Sequence, residues 1–223
     1  MPLDSAWFDG FNKDLRSATL WDTFYRSSTK QDTVPPVPQV DGEALFWEMM
    51  RSSRAPDPWM WPALKQLKSS GRYILAALSN TIIFPPSYDH KFADLPVTDD
   101  VRAIFDIFIS SAHVGMRKPN EDIYLHALQE VDRFARDASK NGRQPGWEEG
   151  VRAKDVLFLD DIGENLKMGK RVGFRTVKVH LGRAYEAVDT LEEITALSLA
   201  GDHPRVPVKP VVVQNHAVRV AKL

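Results

Sequence analysis

Val156-Leu-Phe-Leu-Asp160-Asp161-Ile-Gly163-Glu-Asn165-Leu-Lys-Met-Gly-Lys-Arg-Val-Gly173-Phe-Arg-Thr-Val-Lys-Val179 begins with an apolar run that stops abruptly at two carboxylates. A glycine-containing turn follows, then a helix-compatible segment, then Gly173 and a second β-branched run. This reads as strand, acidic loop, helix and strand, one βαβ unit that delivers charge at the carboxyl end of its first strand. In open α/β sheets that edge is where ligands and ions bind. Two acids placed there by a buried strand suit a hard, oxygen-preferring cation such as Mg²⁺, which is held by one or two carboxylates plus substrate phosphate and water.

Upstream, Tyr73 to Ser79 is a continuous apolar run ending in a hydroxyl, the pattern of a parallel strand buried on both faces. Residues 81–100 read as a Pro-rich loop, Val101 to Phe105 as helical, and Ile107 to Ser110 as a short strand. Gly115-Met-Arg117-Lys118-Pro119 is a turn, and a helix is expected from Asn120 to Val131. Residues 132–152, charged and Gly-rich, are assigned no element. Another helix is expected from Leu181 to Leu199, and residues 206–213 read as an edge strand because Pro207 and Pro210 disfavour a central one.

At the N-terminal end, the aromatic spacing over residues 5–26 suits short helices. A connector is expected over residues 27–41 and a helix from Glu43 to Arg51; Pro62 suits the first turn of a further helix that stops at Gly71. Four strand candidates separated by helices predict an α/β fold with a Rossmann-like, mainly parallel sheet. The expected division is a helical layer over residues 1–60, an α/β core over 61–205 and a tail over 206–223.

Composition narrows the function classes. The chain has 223 residues, a net charge of -1 and a pI near 6.6, so no bulk electrostatic attraction toward nucleic acid or anionic membrane exists. The absence of cysteine excludes disulfides, thiolate catalysis and Cys-based zinc sites. No apolar run approaches the ~20 residues of a membrane span. The first residues lack the charged and apolar regions of a signal peptide. A soluble, cytoplasmic protein is expected.

Three polar clusters fall at the ends of three expected strands: Ser79-Asn80, Arg117-Lys118 and Asp160-Asp161. A hydroxyl and an amide can hydrogen-bond a phosphoryl oxygen, a lysine neutralises its charge, and carboxylates hold a metal. Phosphoryl transfer depends mainly on such positioning and electrostatics. Singly, each cluster has a plainer explanation: a turn device for Ser79-Asn80, a solvated turn for Arg117-Lys118, a helix cap for Asp160-Asp161. Together, in this order on one sheet edge, they outweigh it.

Leu78-Ser79-Asn80, Gly115-Met-Arg-Lys118-Pro119-Asn-Glu-Asp-Ile-Tyr124 and Phe158-Leu-Asp160-Asp161-Ile-Gly-Glu-Asn165 resemble motifs two, three and four of the haloacid dehalogenase-like hydrolase superfamily. The wording is closest to the branch containing the N-terminal phosphatase domain of soluble epoxide hydrolases. The resemblance covers roughly residues 43–200. It implies that Ser79 supplies the motif-two hydroxyl and Asn80 contacts phosphate or substrate. Lys118 would stabilise a phosphoaspartyl intermediate, Asp160 and Asp161 would hold Mg²⁺, and Asn165 matches a further residue of the branch.

The family's first motif, an apolar strand ending in Asp-x-Asp whose first acid is the nucleophile, has no counterpart here. Asp9 in Trp7-Phe8-Asp9-Gly10-Phe11 is a superficial candidate without a second acid at position 11. The chain is therefore read as starting inside the family's helical cap. The absent strand is the family's central one, between the strand ending at Ser79 and the strand ending at Asp160. Its loss leaves two apolar edges unpaired or forces them to pair with each other, and lowers stability.

The expected function is a truncated or degenerate Mg²⁺-dependent phosphatase acting on a small-molecule phosphomonoester, with weak or no activity and a possible homo-oligomeric state. The alternatives are a non-catalytic phosphate- and metal-binding regulatory protein and a metal-free haloacid dehalogenase. The acidic pair speaks against the dehalogenase, and 223 residues leave no room for a separate epoxide-opening domain. Trp7, Trp21, Trp47, Trp59 and Trp61 either shape an apolar substrate pocket or pack the cap on the core.

Overall fold

The structure is a computed structural model that describes residues 3–29, 32–53, 55–82, 101–142 and 146–208. Three helices come first: α1 (Ser5–Leu15), α2 (Ala18–Thr29) and α3 (Gly42–Ser52). Asp4 and Asp41 cap α1 and α3 through their side chains, accepting from the Trp7 and Ala44 amides. α1 and α3 bury Phe8, Phe46 and Trp47 against each other, with Trp7 stacked on Phe11. Close approach is allowed by Gly42: its N–H donates to Asn12 Oδ1 at 2.8 Å, and an added Cβ would sit 2.8 Å from that same oxygen. The tryptophans are dispersed. Trp21 donates to the Pro35 carbonyl, Trp61 lies under Lys65, and Trp59 packs in the α/β core against Tyr185.

α4 (Met60–Ser70) begins where Asp57 accepts from the Trp59 and Met60 amides and ends at left-handed Gly71, close to the expected limits. β1 (Ala76–Ser79) and β2 (Ile107–Ser110) follow, joined at their start by Asp106, which accepts from the Leu75 amide and pairs with Lys68. A single turn of 3-10 helix at Val101–Ile104 stands where a helix was expected. Residues 83–100 of the expected Pro-rich loop lie outside the described residues.

A short α5 (Ser111–Val114) leads to α6 (Glu121–Lys140), which Asn120 caps. Nine residues of α6, 132–140, fall in the stretch assigned no element. The buried stripe continues there through Ala135 and Ala138, small residues hidden in a charged run, while Asp132 and Arg136 pair on the outer side.

β3 (Leu157–Asp160), α7 (Gly163–Val172) and β4 (Arg175–Lys178) form the βαβ unit as read. Gly173, at φ 99°, ends α7 in the left-handed region. α8 (Tyr185–Thr195) is shorter than expected. Ala196 turns left-handed and Leu199 folds back into the core, its amide bound to Glu192.

β1 pairs with β2 and β3 pairs with β4, both in parallel, Ala76 opposite Ile107 and Leu157 opposite Arg175. One side of these strands packs Leu75, Leu157 and Leu159 with Ala63 and Leu67 of α4 and Val188 and Leu191 of α8. The other packs Leu78, Ile109 and Phe158 with Ile123, Tyr124 and Ala127 of α6 and Leu166 of α7. The molecule is thus α/β with helices on both faces of parallel strands.

Among the described residues no ladder joins β1 to β3. An apolar cavity of about 740 Å³ separates them, lined by Ala76, Leu78, Leu157 and Leu159 from the strands and by Leu64 and Leu128 from the helices. The expected single sheet is divided into two strand pairs among the described residues. Residues 206–208 are not a strand; the Val208 amide donates to the Gly182 carbonyl, and residues 209–213 lie outside the described residues.

Candidate functional site

Both strand pairs end at the same place. Asn80, immediately after β1, clasps the backbone of Lys118: its Oδ1 accepts from the Lys118 amide at 2.9 Å and its Nδ2 donates to the Lys118 carbonyl at 3.0 Å. Lys118, in the turn between α5 and α6 and joined to Pro119 by a cis peptide bond, extends its ammonium to Asp160 Oδ2 at 2.6 Å. The same ammonium lies 5.4 Å from the centre of the Phe158 ring. The pair is secluded, with side-chain exposures of 10% for Lys118 and 5% for Asp160.

The other carboxylate oxygen is also engaged. Asp160 Oδ1 accepts from the Ile162 amide at 2.8 Å and from Asn165 Nδ2 at 3.0 Å. Burial pushes the Asp160 carboxyl up, but the Lys118, Ile162 and Asn165 hydrogen bonds and the Lys118 charge outweigh it and hold the carboxyl below the ordinary carboxylate value. The first acid thus fixes the loop and its lysine, and does not act as a simple helix cap.

Asn80, Lys118, Asp160 and Asn165 are therefore linked at the carboxyl edge of β1 and β3, and Ser79 ends β1 beside Asn80. Asp161 is exposed, and its carbonyl accepts from Lys178. Arg117 is exposed on the turn. Asp9, the superficial nucleophile candidate, lies exposed on α1, a helix and not a strand end.

Two features escaped the sequence reading. Tyr124, fully buried on α6, donates from its hydroxyl to the Asn165 carbonyl at 2.9 Å and locks the loop that carries Asp160. Burial first, and then the Asp160 charge, push its phenol up to about 12. Its position in the Lys118-to-Tyr124 motif was the available signal. The second is a hydroxyl cluster. Buried Ser110 bonds Thr81 Oγ1 and lies 2.8 Å from His113 Nδ1, while Ser111 accepts from the Thr81 amide. This cluster ties the ends of β1 and β2 together.

Asp160 and Asp161 are two adjacent carboxylates, and no group of three or more acidic, histidine or cysteine side chains suited to a metal occurs among the described residues. Both carboxylates are oxygen donors of the kind Mg²⁺ takes, with each Asp160 oxygen already hydrogen-bonded, Oδ2 to Lys118 and Oδ1 to Ile162 and Asn165. Among the described residues no helix is long and apolar enough to cross a membrane.

The segments that on sequence resemble haloacid dehalogenase-like motifs, at Ser79, Lys118 and Asp160, thus lie at one strand edge of the parallel α/β core. The sequence similarities run to the epoxide hydrolase branch. The mouse (Mus musculus) bifunctional epoxide hydrolase 2 is 32% identical over 116 residues, 52% of this chain and 17% of the relative. A sesquiterpene phosphatase of Aspergillus oryzae is 29% identical over 126 residues, 56% of this chain and 50% of the relative. Acyl-CoA dehydrogenase family member 10 of the mouse is 28% identical over 142 residues, 64% of this chain and 11% of the relative.

The chain thus spans half or less of the length of these curated relatives. No family model matches it. Among solved structures, a HAD family enzyme of Bacteroides thetaiotaomicron, in complex with magnesium and inorganic phosphate, has a TM-score of 0.42 and 18% identity, covering 82% of this chain and 80% of that one. A predicted HAD-like family hydrolase of Porphyromonas gingivalis has a TM-score of 0.38 and 20% identity, covering 83% and 78%.

Proposed function

We propose that this chain carries the phosphate-and-magnesium half of a haloacid dehalogenase-like phosphatase site for a small phosphomonoester, with no acid among the described residues placed to attack phosphorus. The observation that carries the reading is the Lys118–Asp160 pair, held at the strand edge by Asn80 and Asn165. A phosphate dianion there would draw the Lys118 ammonium, and Ser79, which ends β1, would offer its hydroxyl as a second donor. Asp160 and Asp161 would hold Mg²⁺, which when bound neutralises phosphoryl oxygen charge. Asn165 and the Ile162 amide orient Asp160 through its other oxygen.

The part of such a site not seen among the described residues is the nucleophile. Among the described residues Asp160 is the acid that ends a strand, and it is committed to Lys118; Asp9 stands on a helix. This favours, as a second reading, a binding protein that retains the pocket without turnover. Inorganic phosphate with Mg²⁺ is expected to raise the melting temperature, because a ligand that binds only the folded state stabilises it by mass action. The shift should disappear in Lys118→Ala. No shift at millimolar phosphate would reject the pocket itself. Hydrolysis of a generic aryl phosphate should be no faster than in Asp160→Asn; robust Mg²⁺-dependent turnover abolished by that substitution would reject the missing nucleophile and leave the pocket standing.

A further inference from the structure

The ladder between β1 and β2 ends with Ser79 opposite Ser110. Thr81 lies two residues past that end, yet all three of its polar groups are engaged. Its N–H donates to Ser111 Oγ at 2.9 Å, its carbonyl accepts from the same hydroxyl at a long 3.5 Å, and its own hydroxyl bonds Ser110 Oγ. Ser110 is 5% exposed and lies 2.8 Å from Nδ1 of His113, a residue exposed on α5. A tie between two strands would be the plainer purpose of this cluster. Those strands are already paired from Ala76 and Ile107 to Ser79 and Ser110, and the hydroxyls hold a residue beyond them.

The preceding residue gives the cluster its consequence. Asn80 spends both ends of its side-chain amide on the Lys118 backbone. The stretch from Ser110 to Lys118 is thereby fastened at both ends to two consecutive residues, to Thr81 through Ser110 and Ser111 and to Asn80 through Lys118. One planar peptide joins Asn80 to Thr81 at a fixed Cα separation, so a Thr81 that drifts takes Asn80 with it. Ser110 itself needs fixing, because a serine side chain turns among staggered rotamers and its proton rotates to suit. His113 removes that freedom. With Nδ1 unprotonated, Ser110 donates to the ring and accepts from Thr81; with Nδ1 protonated, both bonds reverse and both survive.

We propose that Ser110, set by His113, is a positioning residue for Lys118: it anchors Thr81, Thr81 holds Asn80 in place, and Asn80 places the lysine whose ammonium meets Asp160. The consequence for phosphate rests on the reading above; the placing of Lys118 does not.

Four variants of the full chain test it. Ser110→Ala removes the shared hydroxyl, His113→Phe keeps a ring and removes Nδ1, and His113→Asn puts a polar atom back near the place of Nδ1. Asn80→Ala removes the grip itself and sets the upper limit. The first readout, without phosphate, is hydrogen exchange of the Lys118 amide, which is bonded to Asn80 Oδ1. The net worth of one hydrogen bond corresponds to about two- to twelvefold in an equilibrium. Relative to amides inside β1 and β2, Lys118 exchange should quicken by about that factor in Ser110→Ala and His113→Phe, and return to within about twofold of wild type in His113→Asn. The second readout is the dissociation constant of inorganic phosphate with Mg²⁺ by calorimetry, which should weaken and recover in the same order. Unchanged Lys118 exchange in Ser110→Ala and His113→Phe, equal quickening of Lys118 and the strand amides, or no recovery in His113→Asn would overturn the proposal. So would unchanged phosphate affinity in Ser110→Ala and His113→Phe when the wild type binds. A wild-type chain that binds no phosphate would reject the pocket reading, and the exchange rates would decide the positioning by themselves.

Discussion

Asp160 holds three neighbours at once, and a single substitution exposes how much depends on it. In Asp160→Asn the Lys118 ammonium keeps its secluded position, 10% exposed, and loses its counter-charge. Removing one partner of a buried ion pair costs roughly 3–5 kcal/mol. Urea unfolding of this variant should show a loss of that size; a loss near zero would mean that Lys118 is solvated in the free protein. The wild-type chain has a matching acid dependence. Because the folded Asp160 carboxyl lies below its ordinary value, its contribution is complete above the ordinary carboxylate range and is lost as pH falls through the lowered value. Stability measured below about pH 4 should therefore fall more steeply in the wild type than in Asp160→Asn. Parallel curves would reject the depressed carboxyl. The sequence announced this residue by placing two acids after an apolar run; it did not announce that Lys118, Asn165 and the Ile162 amide would all spend their bonds on the first acid.

The elements that carry the site were legible where large apolar residues mark the buried face, and were lost where small residues carry it. The βαβ unit from Leu157 to Lys178 was read directly, because an apolar run, a glycine turn and a second β-branched run leave few alternatives. The second half of α6 was not, because Ala135 and Ala138 mark a buried stripe only when the helix packs close. At the junction of α7 and β4, Gly173 sits at φ 99° with Ala153 Cβ 3.3 Å from an added Cβ. Gly173→Ala should cost about 1–2 kcal/mol from the left-handed backbone alone. A stable variant, measured by denaturant midpoint, would show that the turn can relax.

Across the whole molecule, the divided sheet should show itself in the cost of core truncations. Ile123 is 0% exposed and packed by α6 on the face that also holds Phe158 and Leu166. Ile123→Ala should cost about 2–5 kcal/mol, the usual range for emptying a filled site. Leu159 lines the cavity and already lacks partners on one side. Leu159→Ala should cost roughly half as much, since the atoms removed leave fewer contacts behind. Equal costs would mean that the cleft is filled in solution.

By itself the sequence determined the α/β class, the helices around the strands and the order of polar clusters along the chain. Those follow from local periodicity, from breakers such as Gly71 and Gly173, and from the residues that end each apolar run. Tertiary structure alone decided that Asn80 grips the Lys118 backbone, that Tyr124 locks the Asp160 loop, and that β1 and β3 stand apart across an apolar cleft. Each of these joins groups about 40 or more residues apart, or measures the space between them. No periodicity encodes such distances; packing of two helix layers on two separate strand pairs sets them.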